Sequence, residues 1–415
     1  MHSPISLIIF IAIVILIAMR QWLPKAIGIW VIMLLGAIMM ILTKQISLLN
    51  AFYLIQWNII GFLFGLFSIG SALNYSGLLS IICKHCFSSI KSPPKLLFVF
   101  MFVSALASAI FTNDTIAVIL TPIALLLAKQ TKSSSKLYLL ALCFSLTIGS
   151  ALTPIGNPQN LLIASQSNLS NPFSYFLIYA APPVILSFIL AYCWLYFLFR
   201  HHLTQTLSKV AFPIQNSSTA KWPSMLSIML FILLLIYFSL SHFIEFFPKI
   251  PLAITSLIAA VPVYIFYHER FKLLKQIDWH TLIFFIAMFI VIGSLWESHV
   301  IQHLITIYQI DPTSFSHIFI ISSILSQIIS NVPLVELYLS YLQQYTACSL
   351  MALSLSSTLA GNLFIISAAS TIIVIQKAEK QNNYSITFWN FLLAGLPITF
   401  ISLLISYLWL TLLHC

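Results

Sequence analysis

Charge is what this sequence has least of. Only 6% of its 415 residues are Asp, Glu, Lys or Arg, against about a quarter in soluble domains. With 60% hydrophobic residues and a mean hydropathy of +1.04, that scarcity excludes a soluble or disordered chain and points to a polytopic membrane protein. Gly-rich phosphate loops are missing, which argues against direct use of ATP. No G-x-S-x-G occurs and no His sits mid-span beside a Ser or an acid, so an intramembrane enzyme lacks its nucleophile–base pair. The chain is not read as an enzyme. Its six cysteines are scattered, and Cys83-Lys84-His85-Cys86 reads as two unpaired thiols at a helix end rather than a metal or redox site. The run Ile5–Met19 lacks a basic n-region and a small-residue cleavage site, so it reads as a membrane helix rather than a signal peptide.

Polar residues, being few, matter most where they interrupt apolar sequence. Between Phe111 and Asn160 there are two such breaks, Thr112-Asn113-Asp114-Thr115 and the stretch Ser150 to Asn160. Unsatisfied backbone in hydrocarbon is expensive, so non-helical segments there must be buried in protein or line a cavity. Each break also reads as a helix start: N-cap types precede the apolar run Ile116–Leu127, and Asn157-Pro158 pairs a cap with a first-turn proline. Helix N-termini offer N–H groups and positive partial charge, whereas unwound carbonyls and Asn oxygens suit small hard cations. Two broken helices meeting at mid-membrane mark a secondary-transporter site. Plain interhelical loops are the alternative, and Asp114 counts against them.

The order then repeats. Residues 1–199 contain a hairpin expected at 96–128, with arms too short to span, and a broken helix at 137–164. A basic linker at 200–222 follows, and residues 223–415 contain a second hairpin at 318–342 and a second broken helix at 349–376. With both hairpins returning to their starting side, Lys44 and Lys249 fall on one face and every other Lys and Arg on the other. That asymmetry puts the basic face in the cytoplasm and both termini outside. The expected fold is all-α, with about ten transmembrane helices and two re-entrant hairpins in an inverted repeat, set in a plasma (bacterial inner) membrane.

The candidate cation ligands are Thr112, Asn113, Asp114, Asn157, Asn331 and Asn362, with Asn113, Asp114 and Asn157 as the set for sodium. Thr153, Gly156, Asn160, Ser330, Thr358, Gly361 and Ser367 are the candidate substrate contacts. For the amides the simpler role is helix capping, and for the glycines it is close packing. Glu336, the other acid well inside an apolar segment, reads equally as functional or solvent-facing. No Lys or Arg lies inside an expected span, so an anion would be held by N–H groups, hydroxyls and a co-bound cation.

Phe111-Thr112-Asn113-Asp114, the stretch Thr153 to Asn160, Asp278-Trp279 with Phe284-Phe285 and Gly293, and Asn331-Val332-Pro333 form an ordered set over nearly the whole chain. In these motifs the sequence resembles the ion transporter clan of arsenite permeases, NhaD-type sodium–proton antiporters, citrate–metal symporters and divalent anion–sodium symporters, nearest to an ArsB/NhaD-like anion permease. The resemblance implies a sodium- or proton-coupled carrier with elevator-like movement. In the divalent-anion branch, paired Ser-Asn-Thr motifs bind sodium and carboxylate. Here the pairs read Thr112-Asn113-Asp114 and Ser330-Asn331-Val332. The expected function is secondary transport of a small anion, either an inorganic oxyanion or a carboxylate. A sodium–proton antiporter and an arsenite efflux permease are the alternatives, and a channel-like pore fits broken helices less well. No cofactor is expected beyond sodium or a proton. The expected partners are the small-anion substrate and the lipid bilayer, with a homodimer left open and no nucleic acid.

Overall fold

The computed structural model describes residues 4–19, 28–166, 169–203, 220–241, 248–307, 314–342, 346–365, 367–382 and 386–415, and every regular element among them is helical. The first half begins with α1 (Pro4–Ala18), α2 (Ile29–Leu42), α3 (Leu48–Leu54), α4 (Trp57–Tyr75) and α5 (Leu78–Phe87). It continues with α6 (Pro93–Ile110), α7 (Asn113–Gln130), α8 (Ser135–Ser150), α9 (Pro158–Gln166), α10 (Pro172–Tyr179) and α11 (Ala181–Phe199). Arg20 and Lys25, and residues 204–219 of the expected linker, lie outside the described residues. The second half holds α12 (Trp222–Ser241), α13 (Leu252–Phe266), α14 (Arg270–Gln276), α15 (Trp279–Glu297) and α16 (Val300–Ile307). After these come α17 (Phe315–Ile329), α18 (Asn331–Tyr341), α19 (Ala347–Ala360), α20 (Ala369–Asn382) and α21 (Phe388–Leu412).

Six helices are long and apolar enough to cross a membrane by length and composition. One of them is α6, whose 18 residues reach about 27 Å, so the first hairpin's arms are longer than the sequence reading allows. The reason is local. Pro93 and Pro94 start the helix in its first two positions, where a missing N–H costs nothing, and Lys95 sits in the exposed first turn. One expected span, Phe52–Leu73, is interrupted instead, since the chain leaves the helical conformation at Ile55 and Gln56 between α3 and α4.

Packing sorts the helices into two groups. In one, α4 packs on α13, α13 on α12, and α15 on α2. In the other, α8 packs against α6, α7, α11 and α20, while α19 packs against α17 and α21. From Leu137 to Ser150 α8 is buried all round, and α19 is buried from Ser349 to Ala360. Helices apolar on every side belong inside a bundle. Close approach is built in, because a Cβ on Gly149 would lie 2.3 Å from the Ala105 carbonyl oxygen of α6. Beside it Ser108 donates to the Leu146 carbonyl at 2.8 Å.

Two tethers fix the edges. Cys348 pairs with Cys415 across 67 residues of sequence, with Cα atoms 5.3 Å apart, joining the start of α19 to the end of the chain. Lys377 donates to the Val118 carbonyl at 2.5 Å. Pro122 inside α7 removes the N–H that this carbonyl would otherwise accept, so the ammonium of α20 replaces a missing backbone bond. A lysine expected beyond its span thus lies within a helix.

Candidate functional site

Both hairpin tips and both helix breaks converge in the second group. α7 starts at Asn113, with Asp114 in its first turn, where a carboxylate favours the helix dipole. The Asn113 N–H donates to the Gly156 carbonyl at 3.0 Å, which ties the first tip to the break between α8 and α9. Thr112 and Thr115 share a hydrogen bond of 2.9 Å between hydroxyls. At the second tip Ser330 has φ 79° and ψ 154°, a region that side chains avoid at a cost of about 1–3 kcal/mol. Such backbone persists only where its surroundings force it. Asn331 follows, with its amide against Gly361, where an added Cβ would lie 3.3 Å from Asn331 Nδ2.

Several of the expected ligands turn their polar atoms into the protein. Asn157 Oδ1 accepts from the Asn160 N–H at 2.8 Å, and its Nδ2 reaches Thr358 Oγ1 at 3.3 Å. Asn160 Nδ2 donates to the carbonyls of Ser150 and Thr153, both at 3.1 Å, and its Oδ1 accepts from Ser354 at 2.8 Å. Thr153 donates to the Ala109 carbonyl at 2.5 Å, and Thr358 also accepts from Gln159 Nε2 at 3.2 Å. Ser367 donates to Gln327 Oε1 at 2.5 Å. These bonds satisfy unwound backbone that hydrocarbon would penalise.

Other atoms are left over. Among the described residues, Asn113 Oδ1, Asp114 Oδ1 and Asn331 Oδ1 are buried without a hydrogen-bond partner, as are both side-chain polar atoms of Asn362. Orphaned acceptors are rare in a well-formed interior, so each asks for an explanation. Asn113, Asp114 and Asn331 line one cavity of about 430 Å³, together with Ser330, Ser367 and the start of α9 at Pro158 and Gln159. Two amide oxygens and a carboxylate make a hard-oxygen donor set, which fits a sodium ion or a proton. Among the described residues no group of three His, Cys, Asp or Glu could hold a metal ion, so a transition-metal centre has no ligand set there.

The first helix group supplies the opposite wall. Trp30 of α2 stacks on His280 of α15 at 4.8 Å between ring centroids, and both line the cavity with Asp278, while Gln376 of α20 lines it from the second group. Asp278 caps α15, accepting from the Thr281 N–H at 3.1 Å and hydroxyl at 2.6 Å. His280 lines the cavity and is exposed, so the cavity opens beside the start of α15. Trp30, Gln159, His280 and Gln376 were not singled out from sequence. Gln159 lies in the second break without a role of its own there, Gln376 ends an apolar run, and Trp30 and His280 reach the site through the contact between the two groups. Among the described residues no Lys or Arg lines the cavity.

A citrate transporter family profile matches residues 8–347. The chain is 28% identical over 399 residues to a 46 kDa membrane protein of Mycobacterium leprae, covering 91% of this chain and 92% of that protein. It is 27% identical over 438 residues to the silicon efflux transporter LSI3 of Oryza sativa subsp. japonica, covering 89% of each. Among solved structures the YdaH transporter of Alcanivorax borkumensis superposes with a TM-score of 0.53 at 13% identity, covering 99% of this chain and 98% of that one.

Proposed function

The chain belongs to the citrate transporter family, and on that premise we propose that this membrane transporter is a secondary carrier in which a cation at Asn113, Asp114 and Asn331 is coupled to movement of a small anion. The observation that carries this reading is a set of three buried side-chain oxygens, without a partner among the described residues, on residues that line one cavity at two helix starts. A cation there neutralises Asp114 and adds a full charge to the partial charge, roughly half a unit, of each helix N-terminus. An anion can then be held without a basic side chain. The sparser packing between the two helix groups, with the cavity between them, supports elevator-like movement of the hairpin group. It is compatible with the inverted repeat read from sequence.

Calorimetric titration of the purified protein tests the coupling. Sodium should bind more tightly with anion saturating, and the anion should tighten by the same factor with sodium saturating, roughly 5- to 150-fold for a coupling of 1–3 kcal/mol. Independent affinities would reject symport.

A second reading has its own observation. Among the described residues the lining carries Asp114, Asp278 and one imidazole, His280, but no Lys or Arg, which suits exchange of a cation against efflux of an uncharged hydroxylated solute. The relative named a silicon efflux transporter fits that alternative. Binding of a neutral species alone in the same titration would select it.

Orientation follows from two features. Arg270, Lys272 and Lys275 lie on α14, just before the start of α15, Lys377 and Lys380 lie in the second half of α20, and disulfides persist in oxidising compartments. We therefore place the mouth in the cytoplasm and the Cys348–Cys415 pair, with the C-terminus, outside. A membrane-impermeant maleimide added externally should label both cysteines only after reduction. Labelling from the cytoplasmic side alone would invert the topology.

A further inference from the structure

Glu336 is not used by the cavity. Its side chain is 8% exposed, and with Asp114 it is one of two buried charged residues among those described. It lies on α18, and its Oε2 accepts from Gln166 Nε2 at 2.8 Å. Gln166 ends α9, the helix whose first residues, Pro158 and Gln159, line the cavity. Nine residues, about 13 Å, thus separate the cavity from Glu336 along α9. The far end of α15 gives the direction. Its residue Trp296 packs edge-on against Tyr341 at the end of α18, with ring centroids 6.1 Å apart, whereas its start forms the cavity mouth. Ser165, next to Gln166, is exposed. Glu336 therefore approaches the membrane face opposite the mouth.

We propose that Glu336, held by Gln166, is a proton-binding site served from the membrane face opposite the cavity. An ionised carboxylate buried without a basic partner is penalised by several kcal/mol, so the carboxyl carries a proton while α18 and α9 are packed together. The proton comes from water on that face. Its return there leaves a carboxylate that needs hydration, which favours separation of α18 from α9. Proton occupancy then biases the conformational equilibrium from the side away from the substrate cavity. This inference rests on the transporter reading but not on the identity of the cargo.

Other titratable groups on the elements packed against α18 are few. They are His317 on α17, His280, Glu297 and the cap Asp278 of α15, and Cys348 of α19 within its disulfide, while α9 has none. Tyr338 and Tyr341 lie on α18 itself. Glu297 and His317 are exposed and provide the control.

The test is an infrared titration of the full chain in proteoliposomes of one orientation, with pH changed on one side at a time. A protonated-carboxyl band should fade as pH rises on the face away from the mouth. It should vanish in Glu336→Gln, where the amide still accepts from Gln166, and persist in Asp114→Asn and Glu297→Gln. Gln166→Leu should displace the titration without abolishing it, which keeps the test open if the Glu336 variant misfolds. Three results would overturn the proposal: a band unaltered in Glu336→Gln, a band responding only to pH on the mouth side, or an undisplaced titration in Gln166→Leu. A defect of cation binding in Asp114→Asn, or its absence, bears on the cavity alone.

Discussion

Asp114→Asn should weaken sodium binding about 100-fold, or abolish it, while the carrier still inserts and folds. Asp114 is 5% exposed, and its Oδ1 is buried without a hydrogen-bond partner among the described residues. Replacing the carboxylate with an amide keeps the shape and a first-turn acceptor but removes the only charge among the three buried oxygens of these cavity-lining residues. Contacts between a charged group and its partner contribute about 1.5–3 kcal/mol, and tenfold in affinity corresponds to about 1.4. Sodium titration with detection of the thermal midpoint reads the result. Unchanged sodium dependence would reduce Asp114 to a helix cap.

Gly156→Ala should have the second largest effect, through the backbone rather than through lost chemistry. An added Cβ would stand 2.4 Å from the Ser150 carbonyl oxygen and 2.8 Å from the Ser150 Cα, both backbone atoms with little freedom to retreat. Overpacking of this kind destabilises by about 1–3 kcal/mol. The displaced segment also carries the carbonyl that accepts from the Asn113 N–H and the side chain of Asn157 that caps α9. Stability and sodium affinity should therefore fall together, with sodium binding at least roughly tenfold weaker. A variant with wild-type melting and wild-type affinity would show that the break between α8 and α9 does not position the first hairpin tip.

The interruptions were the legible part of this sequence. Helices stop and start at Thr112-Asn113, Ser330-Asn331, Asn157-Pro158 and Gly361-Asn362 because cap residues, prolines and glycines leave no other local choice. What those residues touch was less legible. Asn157, Asn160, Thr153 and Thr358 read as ligands from their depth, but neighbouring carbonyls take donors of the first three, and Thr358 Oγ1 accepts from Asn157 and Gln159. Asn113, Asp114 and Asn331 each keep one buried oxygen without a partner among the described residues, and all three residues line the cavity. The wall formed by Trp30 and His280 depends on packing between elements about 250 residues apart, which no local pattern encodes. The Cys348–Cys415 pair is hidden for the same reason. Glu336 stood between two readings, and its burial against Gln166 removes the solvent-facing one.

Gradient-driven uptake tests the central claim most directly. The purified carrier, reconstituted in proteoliposomes, would be offered a panel of labelled phosphate, arsenate, sulfate and citrate, with sodium and proton gradients imposed separately. The account predicts that one of these anions accumulates against its own gradient only when a cation gradient is present, and that Asp114→Asn removes the accumulation. Accumulation with no cation gradient, or accumulation that survives Asp114→Asn unchanged, would contradict it.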